Sequence, residues 1–141
     1  MPDPRVNGTL HSPIRIALVG HCGPDAYALR SAVSRFVPGA EVVFSYHDES
    51  LGKELRAADL LLINRTLDGD FSDAGGIELI QRLKGTITNG NAPTPRLMLI
   101  SNYAEAQSEA EMAGALPGFG KAAMNAESSR IRLRAALGLG E

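Results

Sequence analysis

A single cysteine, Cys22, and no tryptophan occur among the 141 residues. One thiol excludes an internal disulfide and a cysteine-rich metal framework. Neither sign of charge dominates. Fourteen basic residues against 16 acidic ones leave a net charge of -2, so the chain lacks the positive field that draws nucleic acid or an anionic membrane surface. Apolar runs are short, none approaching the roughly 20 residues needed to cross a bilayer. The opening stretch MPDPRVNGTLHSP is polar and holds three prolines, unlike a secretory signal. The expectation is a cytoplasmic chain with no membrane or nucleic-acid partner. The length suits one domain, which excludes a two-domain cofactor enzyme. With 44% hydrophobic and 21% charged residues, the composition suffices for a buried core.

What is present is a repeated alternation. Residues 1–13 read as a flexible leader. Ile14–Gly20 (IRIALVG) is a short apolar run ending in glycine, the pattern of a strand buried on both faces. Gly23-Pro24 then opens a helix, with Tyr27, Leu29, Ala32, Val33 and Phe36 at helical spacing and Pro38-Gly39 as its stop. Four more pairs follow: strand Ala40–Tyr46 and helix Asp48–Ala57; strand Leu60–Asn64 and helix Gly76–Lys84; strand Arg96–Ser101 and helix Ala104–Ala113; strand Leu116–Gly120 and helix Ala126–Leu137, with Asn125 as its N-cap. Polar loops Arg65–Ala74 and Gly85–Pro95 separate the middle pairs. Residues 139–141 form a tail. Strict alternation with short connections predicts a three-layer α/β domain over 14–138: a doubly wound, five-stranded parallel sheet with helices on both faces. Function is then sought where the strands end, in Gly20–Asp25, His47-Asp48, Asn64–Asp73, Ser101–Tyr103 and Lys121.

The stretches IRIALVG, ADLLLIN with GGIELIQRLK, RLMLIS and AGALPGFGK resemble, in order and spacing, the receiver domain of bacterial two-component response regulators. The resemblance covers residues 14–138 and implies the flavodoxin-like strand order 2-1-3-4-5. Receivers accept a phosphoryl group on an aspartate ending the third strand. An acidic pair after the first strand holds Mg²⁺, a Ser or Thr ends the fourth strand and a Lys the fifth. The logic is electrostatic, because a dianionic group needs cations around it. The resemblance puts Asn64 at the acceptor position, and an amide is no nucleophile. Gly20 and His21 stand at the acidic pair; glycine offers no ligand, and imidazole suits Mg²⁺ poorly. Ser101 and Lys121 match. Ala122 replaces the usual proline, and the switch aromatic falls on Gly118, with Phe119 displaced by one. The reading is a pseudo-receiver that keeps the fold without the chemistry. Its degenerate pocket comprises Gly20, His21, Asn64, Ser101 and Lys121, and Lys121 pairs either with Asp25 or with Asn64.

This reading expects a stand-alone signalling module, not an enzyme, with no metal and no cofactor. It would bind a protein partner, a signalling protein or a component of a histidine kinase pathway. The interaction face is Glu105, Glu109, Phe119, Arg130 and Arg134, with Glu111 beside them and a homodimer through the last two helices as one form. There the glutamates would pair with the arginines, within the chain or across a two-fold axis. The chain's end at Glu141 is expected to leave no room for a DNA-binding output domain.

Rival readings stay open at this stage. In the loop Gly20-His21-Cys22-Gly23-Pro24-Asp25, a thiol at a helix N-terminus is a nucleophile candidate, which makes a small flavodoxin-like enzyme or ligand binder using Cys22, His21 and Lys121 the alternative function. The loop lacks the arginine spacing of a CX5R phosphatase and the residues of a Walker motif. His21, Cys22, His47 and Asp48 form a conceivable Zn²⁺ set, against which His47 is a solvated strand end. Asp68–Asp73 fails the EF-hand pattern and reads as a solvated acidic loop.

Overall fold

The computed structural model describes residues 13–87 and 95–140. Strands β1 (Arg15–Val19), β2 (Glu41–Ser45), β3 (Leu60–Asn64), β4 (Arg96–Ile100) and β5 (Leu116–Phe119) alternate with helices α1 (Gly23–Phe36), α2 (Asp48–Ala57), α3 (Gly76–Ile87), α4 (Ala104–Met112) and α5 (Glu127–Ala136). All neighbouring strands pair in parallel, in the order β2-β1-β3-β4-β5. The leader, apart from Pro13, most of the loop Gly85–Pro95, and Glu141 of the tail lie outside the described residues.

The strands alternate with period two between two cores. Ile16, Leu18, Leu60, Leu62, Met98 and Ile100 face α1 and α5, against Leu29, Val33 and Leu133. Ala17, Val19, Leu61, Ile63, Leu97 and Leu99 face α2, α3 and α4, against Leu51, Leu79, Ile80 and Leu83. Both faces are covered, so β3 at the centre carries no exposed residue, which is why it reads as an unbroken apolar run. The crossovers reverse direction between β1 and β3. Their C-terminal ends therefore diverge into a crevice, and Gly20, His21 and Asn64 stand on its rim.

Two local expectations are corrected, and the reading of His47 gains a contact. Helix α3 runs to Ile87, past the expected end at Lys84; its packed stripe of Leu79, Ile80 and Leu83 carries the helix through Gly85. Asn125 does not cap α5. Ala126 holds the N-cap position without a side-chain bond, and the Asn125 side-chain oxygen accepts from Arg35 instead. His47 is exposed beyond the end of β2, as the solvated strand-end reading has it, and its Nδ1 also accepts from the Ser50 N–H at 3.1 Å in a capping box that starts α2.

At the far end of the sheet, Arg15 on β1 forks onto Glu54 of α2 through Nε and Nη2, both at 2.8 Å, and also reaches Glu41 on β2. The Glu54 side chain is only 5% exposed, so this fork neutralises a charge held away from water. Arg15→Met is expected to destabilise the fold by about 3 kcal/mol, because it strands the buried carboxylate. Arg15→Met combined with Glu54→Leu should regain most of that loss. Urea unfolding of the single and double variants checks both outcomes.

Candidate functional site

Asn64 ends β3 and is nearly buried, at 9% exposure. Its amide nitrogen donates to two backbone carbonyls, Gly20 O at 2.9 Å and Thr66 O at 2.6 Å. Both donors of the NH₂ group are thus used. A carboxylate has no donor to offer and would face two carbonyl oxygens. The Asn64 side chain is bound as an amide.

The first strand's end is closed differently. Gly20 has φ +74, and a Cβ there would lie 2.8 Å from Leu67 Cδ2 and 3.1 Å from Leu67 Cα. No carboxylate fits at that position without moving the loop. His21 is fully buried. Its Nε2 donates to Leu62 O at 2.8 Å, which leaves Nδ1 unprotonated and without a partner. Burial pushes its pKa down to about 4, more than the Leu62 carbonyl offsets, and nearby Lys121 lowers it further. The ring is neutral at ordinary pH.

The segment that excludes a side chain at position 20 is the connection from β3 to α3. It is pinned across the ends of β1 and β2. Asp68 N donates to Gly20 O at 2.8 Å, Asp70 N to Tyr46 O at 2.7 Å, and Asp48 N to Asp70 O at 3.2 Å. Gly69, at φ +124, lies so close to Tyr46 that a Cβ would sit 2.2 Å from its carbonyl oxygen. Ser72 donates to the Asp48 carboxylate from both its N–H and its hydroxyl. The Asp73 side chain, 8% exposed, is forked by Arg82. Asp68–Asp73 is exposed at Asp68, Asp70 and Ser72, as the expected solvated acidic loop would be, but it is also a strap, since its backbone continues the pairing of the sheet edge. Among the described residues, no three His, Cys, Asp or Glu side chains converge as a metal site. His21 and His47 are each committed elsewhere.

The remaining pocket residues are also engaged. Ser101 Oγ accepts from the Tyr103 N–H at 3.2 Å. Lys121 turns to Asp25 rather than Asn64, with Nζ 2.8 Å from the carboxylate. Lys121 first, and the Cys22 thiol second, hold the Asp25 carboxyl below its usual range. His21 Nε2 is taken by Leu62 O and its Nδ1 has no partner, so the ring makes no hydrogen bond to Cys22. The two do not form a nucleophile–base pair. A small cleft of about 170 Å³ remains between Asn64, Thr66, Ser101 and Lys121.

Three residues of the expected interaction face, Phe119, Arg130 and Arg134, need correction. Phe119 is buried at 4% exposure in the core beneath α1 and α5. The irregular register between β4 and β5, at Pro117-Gly118, turns its ring inward. Arg130 forks onto Glu127 of its own helix, Arg132 donates to Gly118 O, and Arg134 donates to Phe36 O and Gly140 O. The α5 arginines thus bind locally and to the backbone instead of to the α4 glutamates. Gln107 was not singled out by sequence. Its Nε2 donates to Leu99 O, Ser101 O and Phe119 O, tying β4 to β5 beside the irregularity. A glutamine on a helix of otherwise small and charged residues carries no signal for that role.

With this geometry in place, the chain can be set beside known proteins. No protein-family model matches it, and neither does any curated protein. Solved structures do. The signal receiver domain of the DNA-binding response regulator merR from Colwellia psychrerythraea 34H aligns with a TM-score of 0.66 at 17% identity, over 89% of this chain and 98% of that one. The chain has the receiver fold. A LuxR-family two-component response regulator from Aurantimonas sp. SI85-9A1 gives 0.65 at 23% identity, over 91% and 88% of the two chains. The BeF3-activated DrrB receiver domain gives 0.60 at 20%, over 90% and 99%. In addition, among the described residues no helix is long and apolar enough to cross a membrane.

Asn64→Asp is expected to destabilise the protein by about 1–3 kcal/mol at neutral pH, the loss of donors to two buried carbonyls. The deficit against wild type should shrink in acid, where a protonated carboxyl regains one donor. Chemical unfolding of both proteins across pH measures this. His21 gives a second test. Its folded pKa of about 4 lies below the unfolded value near 6.5, so the unfolded state takes up the proton first. Stability from this group is complete above the unfolded value and is lost as pH falls from about 6.5 to about 4, amounting to about 3 kcal/mol. In His21→Gln, the unfolding free energy should vary less with pH over that window.

Proposed function

We propose that this chain is a pseudo-receiver: a module of two-component-type signalling that acts by binding a protein partner, without phosphoryl transfer and without enzymatic activity of its own. The observation that carries the reading is the Asn64 amide, which donates to Gly20 O and Thr66 O from the acceptor position. Phosphoryl transfer depends on an anionic oxygen held in line and a cation to neutralise the moving charge. The nucleophile is replaced by a donor group. The seat of one metal carboxylate is filled by Leu67, and the other is a buried neutral imidazole. Lys121, whose counterpart holds phosphoryl oxygens in receivers, is neutralised by Asp25. The pocket is a closed network with its charges paired internally. Signal transfer then rests on surface complementarity and on control of the partner rather than on covalent switching.

The test uses the whole chain with Mg²⁺ and radiolabelled acetyl phosphate, and in parallel with beryllium fluoride. Wild type should take up no label, and its amide NMR spectrum should not move with beryllium fluoride. Asn64→Asp should also stay unlabelled, because the Mg²⁺ seat is still missing. Stoichiometric labelling of wild type on any aspartate would overturn the reading.

A further inference from the structure

The pairing expected between α4 glutamates and α5 arginines is absent, and that leaves a set of carboxylates to account for. A groove of about 810 Å³ runs between the start of α3 and the face of α4. Glu78 of α3 and Glu105 and Glu109 of α4 line it, together with Ile77, Arg65 and Tyr103. Among the described residues, none of these three glutamates has a hydrogen bond or an ion pair, whereas Glu41, Glu54 and Glu127 are each bound to an arginine. Glu105 and Glu109 stand one turn apart on one face, where like charges destabilise a helix. The one cation lining the groove, Arg65, does not relieve them: its guanidinium lies over the Tyr103 ring, 4.9 Å from the centroid. The groove therefore carries net negative charge, with Ile77 and the Tyr103 ring as its larger apolar lining. At its mouth is Tyr103, 62% exposed, and Met112 continues the face of Glu105 and Glu109 at 89% exposure. Exposed aromatic and methionine side chains beside a cavity are the composition of a binding surface rather than of a solvated helix.

We propose that the α3–α4 groove docks a basic, partly apolar peptide segment of the partner protein, its lysine or arginine side chains meeting Glu78, Glu105 and Glu109 and its apolar side chains meeting Ile77, Tyr103 and Met112. The inference rests on the reading of the chain as a partner-binding module and assigns that partner's chemistry. Charge complementarity selects the occupant. An incoming cation removes the repulsion along α4 and finds carboxylates with no partner to displace. An acidic segment meets three negative charges and a single arginine. Desolvation of the groove by apolar side chains strengthens the ion pairs, and steering by the acidic face speeds encounter.

The experiment is a titration of the whole ¹⁵N-labelled chain with an amphipathic Lys/Leu peptide of about 15 residues, with its Glu/Leu counterpart, and with spermidine. No phosphoryl donor is present, so the result is independent of whether the chain can be phosphorylated. The expected result is amide shifts at residues 65–66, 75–78 and 103–109 with the basic peptide alone. That binding should weaken as salt rises from about 50 to about 300 mM. Glu109→Lys should weaken it by about tenfold or more. Glu49→Lys, an equal charge change on α2, should leave it within about twofold. Circular dichroism of both variants confirms that they fold. Equal binding of the acidic peptide, or equal loss in both variants, overturns the proposal. So do shifts from spermidine as large as those from the peptide, which make the groove a site for small amines. Self-association of the free chain that Glu109→Lys abolishes also overturns it, because the occupant is then a second copy.

Discussion

The Asn64 amide ties the connection after β3 to the end of β1. Its two hydrogen bonds hold the end of β1, through Gly20 O, and the exit of β3, through Thr66 O. With Thr66 drawn in, Leu67 falls over Gly20, Asp68 N meets the same Gly20 carbonyl, and the chain continues across to Tyr46 and Asp48. The course of the strap thus follows from one side chain that can donate twice. Beside it, Lys121 is paired with Asp25 and burial keeps His21 uncharged.

The electrostatics of the molecule divide accordingly. Charges near the strand ends are paired internally: Lys121 with Asp25, Arg82 with Asp73. Across the domain, Arg15 anchors Glu54 beneath α2. The carboxylates of Glu78, Glu105 and Glu109 lie on the wall formed by α3 and α4, and those of Asp68 and Asp70 are exposed on the strap.

Most of the fold was legible because the signals are periodic. Leu60–Asn64 and Arg96–Ile100 are largely apolar on both faces, and the intervening helices bury Ile80, Leu83 and Leu133 at regular spacing, so element order and a parallel sheet follow, while the strand order came from the likeness to receivers. The contacts of the site were not legible. That an amide ends β3 can be seen in one dimension. That its NH₂ group binds Gly20 O cannot, since the partner is a carbonyl 44 residues away. The cap made by His47 escaped because histidine is an uncommon capping residue. The strap escaped because the bonds that lay it across β1 and β2 are made by backbone atoms, and its side-chain bonds, Ser72 to Asp48 and Arg82 to Asp73, join residues that no local pattern links. Phe119 and the α5 arginines were misplaced for one reason. A register irregularity and backbone carbonyls decide where those side chains go, and neither is written in charge or hydropathy.

The outermost strand beyond β4 is four residues long, contains Pro117 and Gly118, and is stitched to its neighbour by Gln107. Proline cannot donate to a ladder, and an interrupted short strand is a poor template for another. That flank of the sheet is blunted against main-chain extension by a neighbouring molecule. Whatever assembles with this protein there must read side chains, so recognition on that flank is specific by construction and runaway strand-to-strand aggregation is suppressed.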